Sequence, residues 1–316
     1  MQVSPVLLEE SMLLQEVGCI FCNVKHNNVA IRENGYLGQR CQSCGLIYIS
    51  PRPQEKDIEK IYACGDARMA PEQHISRGHL KRRQARHVLK LAKRYVTSGS
   101  LLEIGAGAGF FLDEARRSGF QPFAIEPNPT QAEFIEHNLG IPCERRALSL
   151  DTFHDKQFDV IYHADVISHF YHPVQAFQTI HDKLRHGGFV IFETGNVADV
   201  RAKYLDVIPT FQYPDHLFFF GQQALRKLLQ MTGFQTLKMY SYSILTELHF
   251  AKLLAGRYEP ANGARSNSLS RGLSHSVKES VRPAYYNLMH YMRYNVGAWM
   301  PKAGRPQTVI VVAQKV

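Results

Sequence analysis

Residues 102–111 read LEIGAGAGFF, with glycine at 105, 107 and 109 directly after a short apolar run. Leu101–Ile104 has strand character, and Phe110–Ser118 has the spacing of an amphipathic helix that stops at Gly119. A strand, a glycine turn and a helix bare backbone N–H groups at a helix N-terminus, the usual frame for a nucleotide-like ligand. Dinucleotide sites use G-x-G-x-x-G, whose third glycine lets helix and strand pack closely. Here Phe110 stands at that third position, and no lysine or arginine lies in the loop to grip a phosphate. The loop therefore suits a ligand with a charged amino-acid end and an adenosine end.

Outward from this point strands and helices alternate. QPFAIEPN (121–128) reads as a strand and PTQAEFIEHNLG as a helix stopped by Gly140. Residues 141–146 make a poor strand and FDVIYHAD (158–165) a better one. PVQAFQTIHDKLRHGG carries proline at its start and glycine at its end, the signature of a bounded helix. GFVIFET (188–194), FQTLKMYSYS and QTVIVVAQ (307–314) are further strands, with a helix over 221–233. This spacing predicts an α/β fold with a doubly wound, mainly parallel, seven-stranded sheet. The last two strands lack a helical crossover and are expected as an antiparallel edge pair. Residues 1–16, QEKDIEKIYA and about 79–95 have helical character. The expected units are an N-terminal helix and ribbon (1–53), a basic helical linker (54–98), the ligand-binding domain (99–246 and 305–316) and a helical insert or lid (247–304).

Four of the six cysteines form C-x2-C-x18-C-x2-C: Cys19, Cys22, Cys41 and Cys44. Each pair closes a tight knuckle, and two knuckles supply the four thiolates of a structural Zn2+. Such a site keeps no position open for water, so its zinc folds the segment and does not catalyse. IRENGYLGQRC between the pairs reads as a hairpin turning at Asn34-Gly35.

Composition is that of an ordinary globular protein, 45% hydrophobic and 21% charged. No apolar run approaches the roughly 20 residues that span a bilayer, and MQVSPVLLEESMLLQEVG lacks the basic start of a secretory signal. A cytoplasmic location is expected. The net charge of +9 is concentrated between Arg77 and Arg94, which holds eight basic residues and no acid, and in the insert. Such patches favour anionic partners. The Tyr- and Met-rich end of the insert, with the single tryptophan, reads as a packed lid, a dimer surface or an interfacial helix.

LEIGAGAG resembles the first motif of the class I S-adenosylmethionine (SAM) methyltransferases. AIEPNP, FDVIYHADVISHFYHP and LRHGGFVIFETGN are similar, in order, to the family's later motifs, over roughly residues 80–250 plus the last strand. The resemblance implies SAM as cofactor, held by Glu103, Gly105, Ala106, Gly107, Gly109, Glu126, Pro127 and His163. Glu126 would grip both ribose hydroxyls, since a carboxylate can accept from two vicinal hydroxyls at once. Asp151 is the candidate near adenine.

The fourth-strand motif carries histidines (His163, His169, His172) where methylases of amide and base nitrogens carry Asn/Asp-Pro-Pro-Tyr. Together with YPDHLFFF (213–220) and the four-cysteine ribbon, this resembles the sugar-nucleotide C-methyltransferases. The resemblance implies catalytic roles for His216 or Tyr213 as base, with His169 holding the acceptor and Asp215 beside them. The acceptor expected is a small anionic molecule methylated at carbon or oxygen. The alternatives are RNA or a lipid- or quinone-type acceptor, gripped by the basic helix or the insert. RNA is not favoured, because residues 19–44 carry few basic and aromatic residues to stack on bases. A non-enzymatic scaffold would have no need of the intact glycine loop and Glu126. Acceptor identity and oligomeric state stay open.

Overall fold

The computed structural model describes residues 13–58, 75, 78–249 and 287–316. In its N-terminal part, β1 (Leu14–Gln15) pairs antiparallel with β5 (Arg52–Pro53). Residues 14–15 are thus extended where a helix is expected, because their backbone is tied across to residues 52–53; the rest of that expected helix lies outside the described residues. β2 (Val29–Glu33) and β3 (Tyr36–Arg40) form the predicted hairpin. Its turn residues Asn34 (φ 50°) and Gly35 (φ 81°) are both left-handed, as a two-residue turn on twisted strands requires. β4 (Ile47–Ile49) continues the sheet beside β3.

Residues 55–58 are helical, and the remainder of that expected helix lies outside the described residues. Helix α1 (Gly78–Ala92) leads into β6 (Gly99–Ile104), which is followed by α2 (Phe110–Arg117), β7 (Phe120–Ile125), α3 (Pro129–Leu139), β8 (Cys143–Glu144) and β9 (Phe158–Ala164). Then come α4 (Pro173–Lys183), β10 (Leu184–Gly195), β11 (Phe218–Phe219), α5 (Gln222–Met231), β12 (Phe234–Ser243) and β13 (Gln307–Lys315). The seven-stranded sheet has the order β12-β13-β10-β9-β6-β7-β8. Its central pairs are parallel, and β13 runs antiparallel between β10 and β12. The expected doubly wound sheet with an antiparallel edge is present. One boundary differs: the sequence places the glycine stop of α4 at 187–188, whereas Leu184 already pairs with Phe158, and Gly187 (φ 73°) lies in a bulge within β10.

The sheet divides its side chains between two cores. Leu101, Tyr162 and Ile191 face α1 and α2, with Phe111 stacked on Tyr162 at 3.8 Å. Leu102, Ile161 and Phe192 face α4 and α5. This second core does not end at the domain: it continues through Phe218 and Phe220 into Leu46, Ile47, Tyr48 and Ile49 of the ribbon. β11 pairs antiparallel with β4, so the ribbon's sheet has a strand from the larger domain as its edge. Burying these aromatic and aliphatic groups removes apolar area from water and fastens the two units together. Among the described residues no helix is long and apolar enough to cross a membrane.

Candidate active site

The three loop glycines all have positive φ, 68° at Gly105, 55° at Gly107 and 72° at Gly109. Their surroundings differ. A Cβ on Gly109 would meet Ile135 and Leu139 of α3 at 2.8 and 2.9 Å, and one on Gly105 would meet Val166 at 2.8 Å. Those two glycines admit close packing, while Gly107 has nothing within 4 Å and leaves its backbone open to a ligand. Glu126, at the end of β7, accepts from Gly107 N–H at 2.7 Å and Asn128 N–H at 2.8 Å. Its burial lifts its pKa to about 7, against the pull of those two donors. Glu103 is 5% exposed, and its Oε2 has no hydrogen-bond partner among the described residues. Burial holds its pKa well above the usual carboxylate range. An unpartnered buried carboxylate oxygen beside an open glycine loop suits a ligand that carries an ammonium group. Ala106 is buried in this loop, Pro127 is exposed at its rim, and Asp151 is exposed beyond β8.

His163, expected among the cofactor contacts, is a core residue. It lies on the opposite face of the sheet from Glu103, fully buried, with its ring stacked 4.9 Å from Phe192 and edge-on to Phe170 and Phe177. Burial drives its pKa down to about 3, so the ring stays neutral. No surface of it is left for a ligand.

On the Glu103 side, Glu193 near the end of β10 binds two other elements. It accepts from Gln84 of α1 at 2.9 Å and from the Tyr294 hydroxyl at 3.2 Å. Tyr294 belongs to the π-helical turn Met292–Val296 at the described end of the insert, where Arg293 also pairs with Glu247. Sequence reasoning passes over Glu193; its signal is a lone acid in the apolar run GFVIFET. The basic helix is less available than its composition suggests. Arg82 and Arg86 are engaged by the buried acids Asp113 and Glu114 of α2. Lys90, Lys93 and Arg94 sit where α1 approaches the amino end of β6, the edge opposite the glycine loop.

The acceptor-side candidates come from two loops at the carboxyl edge, after β9 and after β10, where doubly wound sheets bind ligands. His169 Nδ1 is 3.1 Å from Asp215 Oδ1, and the His169 and His216 rings meet edge to face at 4.7 Å. One ligating atom from each of the three lies within 4.8 Å of the others. Tyr213 does not join them as a base. It is 3% exposed, and its hydroxyl is packed against Gly38 of the ribbon, where a Cβ would overlap it. Burial, reinforced by the nearby Glu33 carboxylate, raises the pKa of the phenol far out of reach of proton transfer. Its backbone instead fastens the loop: Tyr213 N–H donates to Glu33 at 2.9 Å, and its carbonyl accepts from Asn34 Nδ2 at 2.8 Å. His172 turns toward Glu55 at 3.4 Å.

In the ribbon, Cys19 and Cys44 sulfurs are 3.6 Å apart and Cys22 and Cys41 sulfurs 3.8 Å apart. A tetrahedron whose vertices lie about 2.3 Å from a central ion has edges of about 3.8 Å, so these separations fit a metal held by thiolates. Each knuckle turns back on itself through Asn23 N–H to Cys19 C=O and Gly45 N–H to Cys41 C=O, with Asn23 and Gly45 left-handed. His26 Nε2 lies 4.0 Å from Cys22 Sγ, a neighbour that sequence spacing did not single out.

The fold and glycine loop are those of a class I methyltransferase. A methyltransferase-domain family model matches residues 76–239, just over half of the chain. The protein therefore belongs to the SAM-dependent class I methyltransferases. Among solved structures it is similar to a protein provisionally described as a sarcosine dimethylglycine methyltransferase from Galdieria sulphuraria (15% identity, 74% of this chain and 85% of that one, TM-score 0.50). It is also similar to a SAM-dependent methyltransferase from Archaeoglobus fulgidus (15%, 76% and 98%, 0.46) and to mycolic acid cyclopropane synthase CmaA1 complexed with SAH and CTAB (17%, 73% and 83%, 0.47). At 15% identity the first of these likenesses is one of fold alone. A search among curated proteins finds no match.

Proposed function

We propose that this methyltransferase acts at carbon or oxygen of a small anionic acceptor, best fitted by a sugar nucleotide, with His169, Asp215 and His216 handling the acceptor's proton. The observation that carries the reading is the meeting of these three residues from two separate loops on the ligand-binding edge. Bound SAM supplies a methyl group on a sulfonium, so the protein has chiefly to align the acceptor and remove a proton. Asp215 accepts from His169 only when Nδ1 carries the proton, which leaves Nε2 as the lone-pair nitrogen. His169 is then the base, and His216, edge-on beside it, holds the acceptor; this exchanges the two roles that the resemblance implied. Glu103, the Gly105–Gly109 loop and Glu126 hold the cofactor. Cys19, Cys22, Cys41 and Cys44 hold a structural zinc.

The test uses methyl-labelled SAM, the full-length protein and an extract of its own host, separated afterwards into nucleic acid, lipid and water-soluble small molecules. Label is expected in the small-molecule fraction, reduced about 100-fold or more in His169→Ala, the scale of a lost general base. SAM binding by calorimetry should persist in that variant. Label in RNA or lipid, or turnover near wild type in His169→Ala, overturns the assignment.

A further inference from the structure

The loop that carries Asp215 and His216 is held by the ribbon as well as by the domain it belongs to. Its start is held by two adjacent ribbon side chains. Glu33, the residue before the hairpin turn, accepts through Oε1 from Thr210 Oγ1 at 2.8 Å and Phe211 N–H at 2.9 Å, and through Oε2 from Tyr213 N–H at 2.9 Å. Asn34 adds the bond from its side-chain amide to the Tyr213 carbonyl. Within the loop, His216 N–H donates to the carbonyl of Gln212, a residue with left-handed φ of 66°. At its far end Leu217 is held from both sides: its carbonyl accepts from Ile49 N–H of β4 at 3.1 Å, and its N–H donates to the Ser168 carbonyl at 2.8 Å. Ser168 immediately precedes His169. The ribbon therefore clamps the loop on both sides of Asp215 and His216, and one of those clamps also reaches the His169 loop.

We propose that Glu33 is a positioning residue for methyl transfer: acting through the Thr210 hydroxyl and the backbone N–H groups of Phe211 and Tyr213, its carboxylate fixes Asp215 and His216 against His169. The ribbon is then part of the acceptor site's framework as well as a folding unit. This rests on the reading that the three-residue cluster serves the acceptor. A carboxylate suits the task because it offers only acceptors to three converging donors. Glutamine in its place presents an NH2 group to one or more of them, and charge-assisted bonds become neutral ones.

The experiment compares wild type, Glu33→Gln and Asn34→Gly in the full-length, metal-loaded protein. Asn34→Gly keeps a left-handed turn residue and removes only the bond to Tyr213. Zinc content and SAM affinity should stay at wild-type values in both. Amide hydrogen exchange at Phe211 and Tyr213 should quicken about tenfold or more in Glu33→Gln, local opening being set by the bonds that hold the segment. The His169 and His216 ring resonances should move from their wild-type positions, whereas a merely structural substitution elsewhere in the ribbon should leave them in place. Methyl transfer to the host small-molecule fraction should fall at least tenfold through kcat, with SAM binding unchanged. Unaltered exchange and unmoved histidine resonances in Glu33→Gln overturn the proposal. If Glu33→Gln lost its zinc or failed to fold, Glu33→Asp, which keeps the charge but not the reach to residues 210–213, would take its place, and unaltered exchange and turnover in it would overturn the proposal. A loosened loop in Glu33→Gln with full turnover in His169→Ala would leave the clamp standing and sink the catalytic reading, so the two can fail separately.

Discussion

Glu126 holds the glycine loop and, in the function proposed above, its ligand as well. Its two oxygens accept from the backbone N–H groups of Gly107 and Asn128, and each retains a lone pair, which the proposed grip on the ribose hydroxyls would use. Glu126→Gln should weaken SAM by about 1–3 kcal/mol, the scale of a hydrogen bond to a charged group, as read by calorimetry. Because burial lifts its pKa to about 7, wild-type affinity should also fall as the pH drops below that value and the acceptor is lost to a proton. Stability runs the other way. The folded protein holds this proton to about pH 7, whereas the unfolded chain releases it near its ordinary value of 4.5. Between those limits the native state binds more protons, so wild type should lose stability relative to Glu126→Gln as the pH rises from 4.5 to 7. A pH-independent difference between the two denaturation curves would show a carboxylate ionised throughout. The candidate role of Glu126 is legible in EPNP after a strand; its bond to Gly107 is not, because nothing in the sequence says which backbone groups a carboxylate will meet before a ligand arrives. His163 fails for a related reason. Its place in the fourth-strand motif suggests the cleft, but side chains alternate across a strand, and its position turns it into the phenylalanine-lined core.

At the scale of elements, the ribbon was readable where its chemistry is local. The C-x2-C spacing and the Asn34-Gly35 turn each act over a few residues, and both are present as expected. The pairing of β4 with β11 joins residues 47–48 to 218–219 and rests on two phenylalanines inside LFFF, a run with no alternation to show which side faces which partner. Tyr213 is equally hidden from the sequence: a polar-looking YPDH turns its phenol inward against Gly38 while Asp215 and the two histidines stay together. Zinc should matter accordingly. The purified protein is expected to carry about one zinc per chain, and removal by a strong chelator should unfold the ribbon, since a four-thiolate ion supplies folding free energy directly. With β4 released, Leu217 loses its bond to Ile49, so exchange protection should vanish at Ile49 and fall at Leu217 as well as in the knuckles. A metal-free protein whose melting curve and exchange pattern match those of the loaded one would exclude a structural metal there.

At the scale of the whole molecule, the family match begins at residue 76, yet the core does not respect that boundary. The sheet order was legible because alternating strands and helices of this length leave few topologies open. That the ribbon and the domain would share one apolar cluster was not, since each has enough hydrophobic residues to be read as a unit of its own. Leu217, Phe218 and Phe220 are at most 1% exposed, and Tyr213 is 3% exposed; each has ribbon residues in its cluster. A chain beginning at residue 76 would expose this surface together with the free edge of β11. Each large side chain returned to water costs about 1.5–3 kcal/mol. The total is comparable with the roughly 5–15 kcal/mol that separates a folded domain from its unfolded state. The shortened chain should therefore denature at markedly lower denaturant concentration than the full protein and associate through the uncovered strand. The glycine loop and Glu126 follow β6 and β7, whose strand partners are each other, β8 and β9, so whatever fraction folds should still bind SAM within a few-fold of wild type. A shortened chain that is monomeric and as stable as the full protein would mean that the shared cluster contributes little and that the ribbon is a separable appendage.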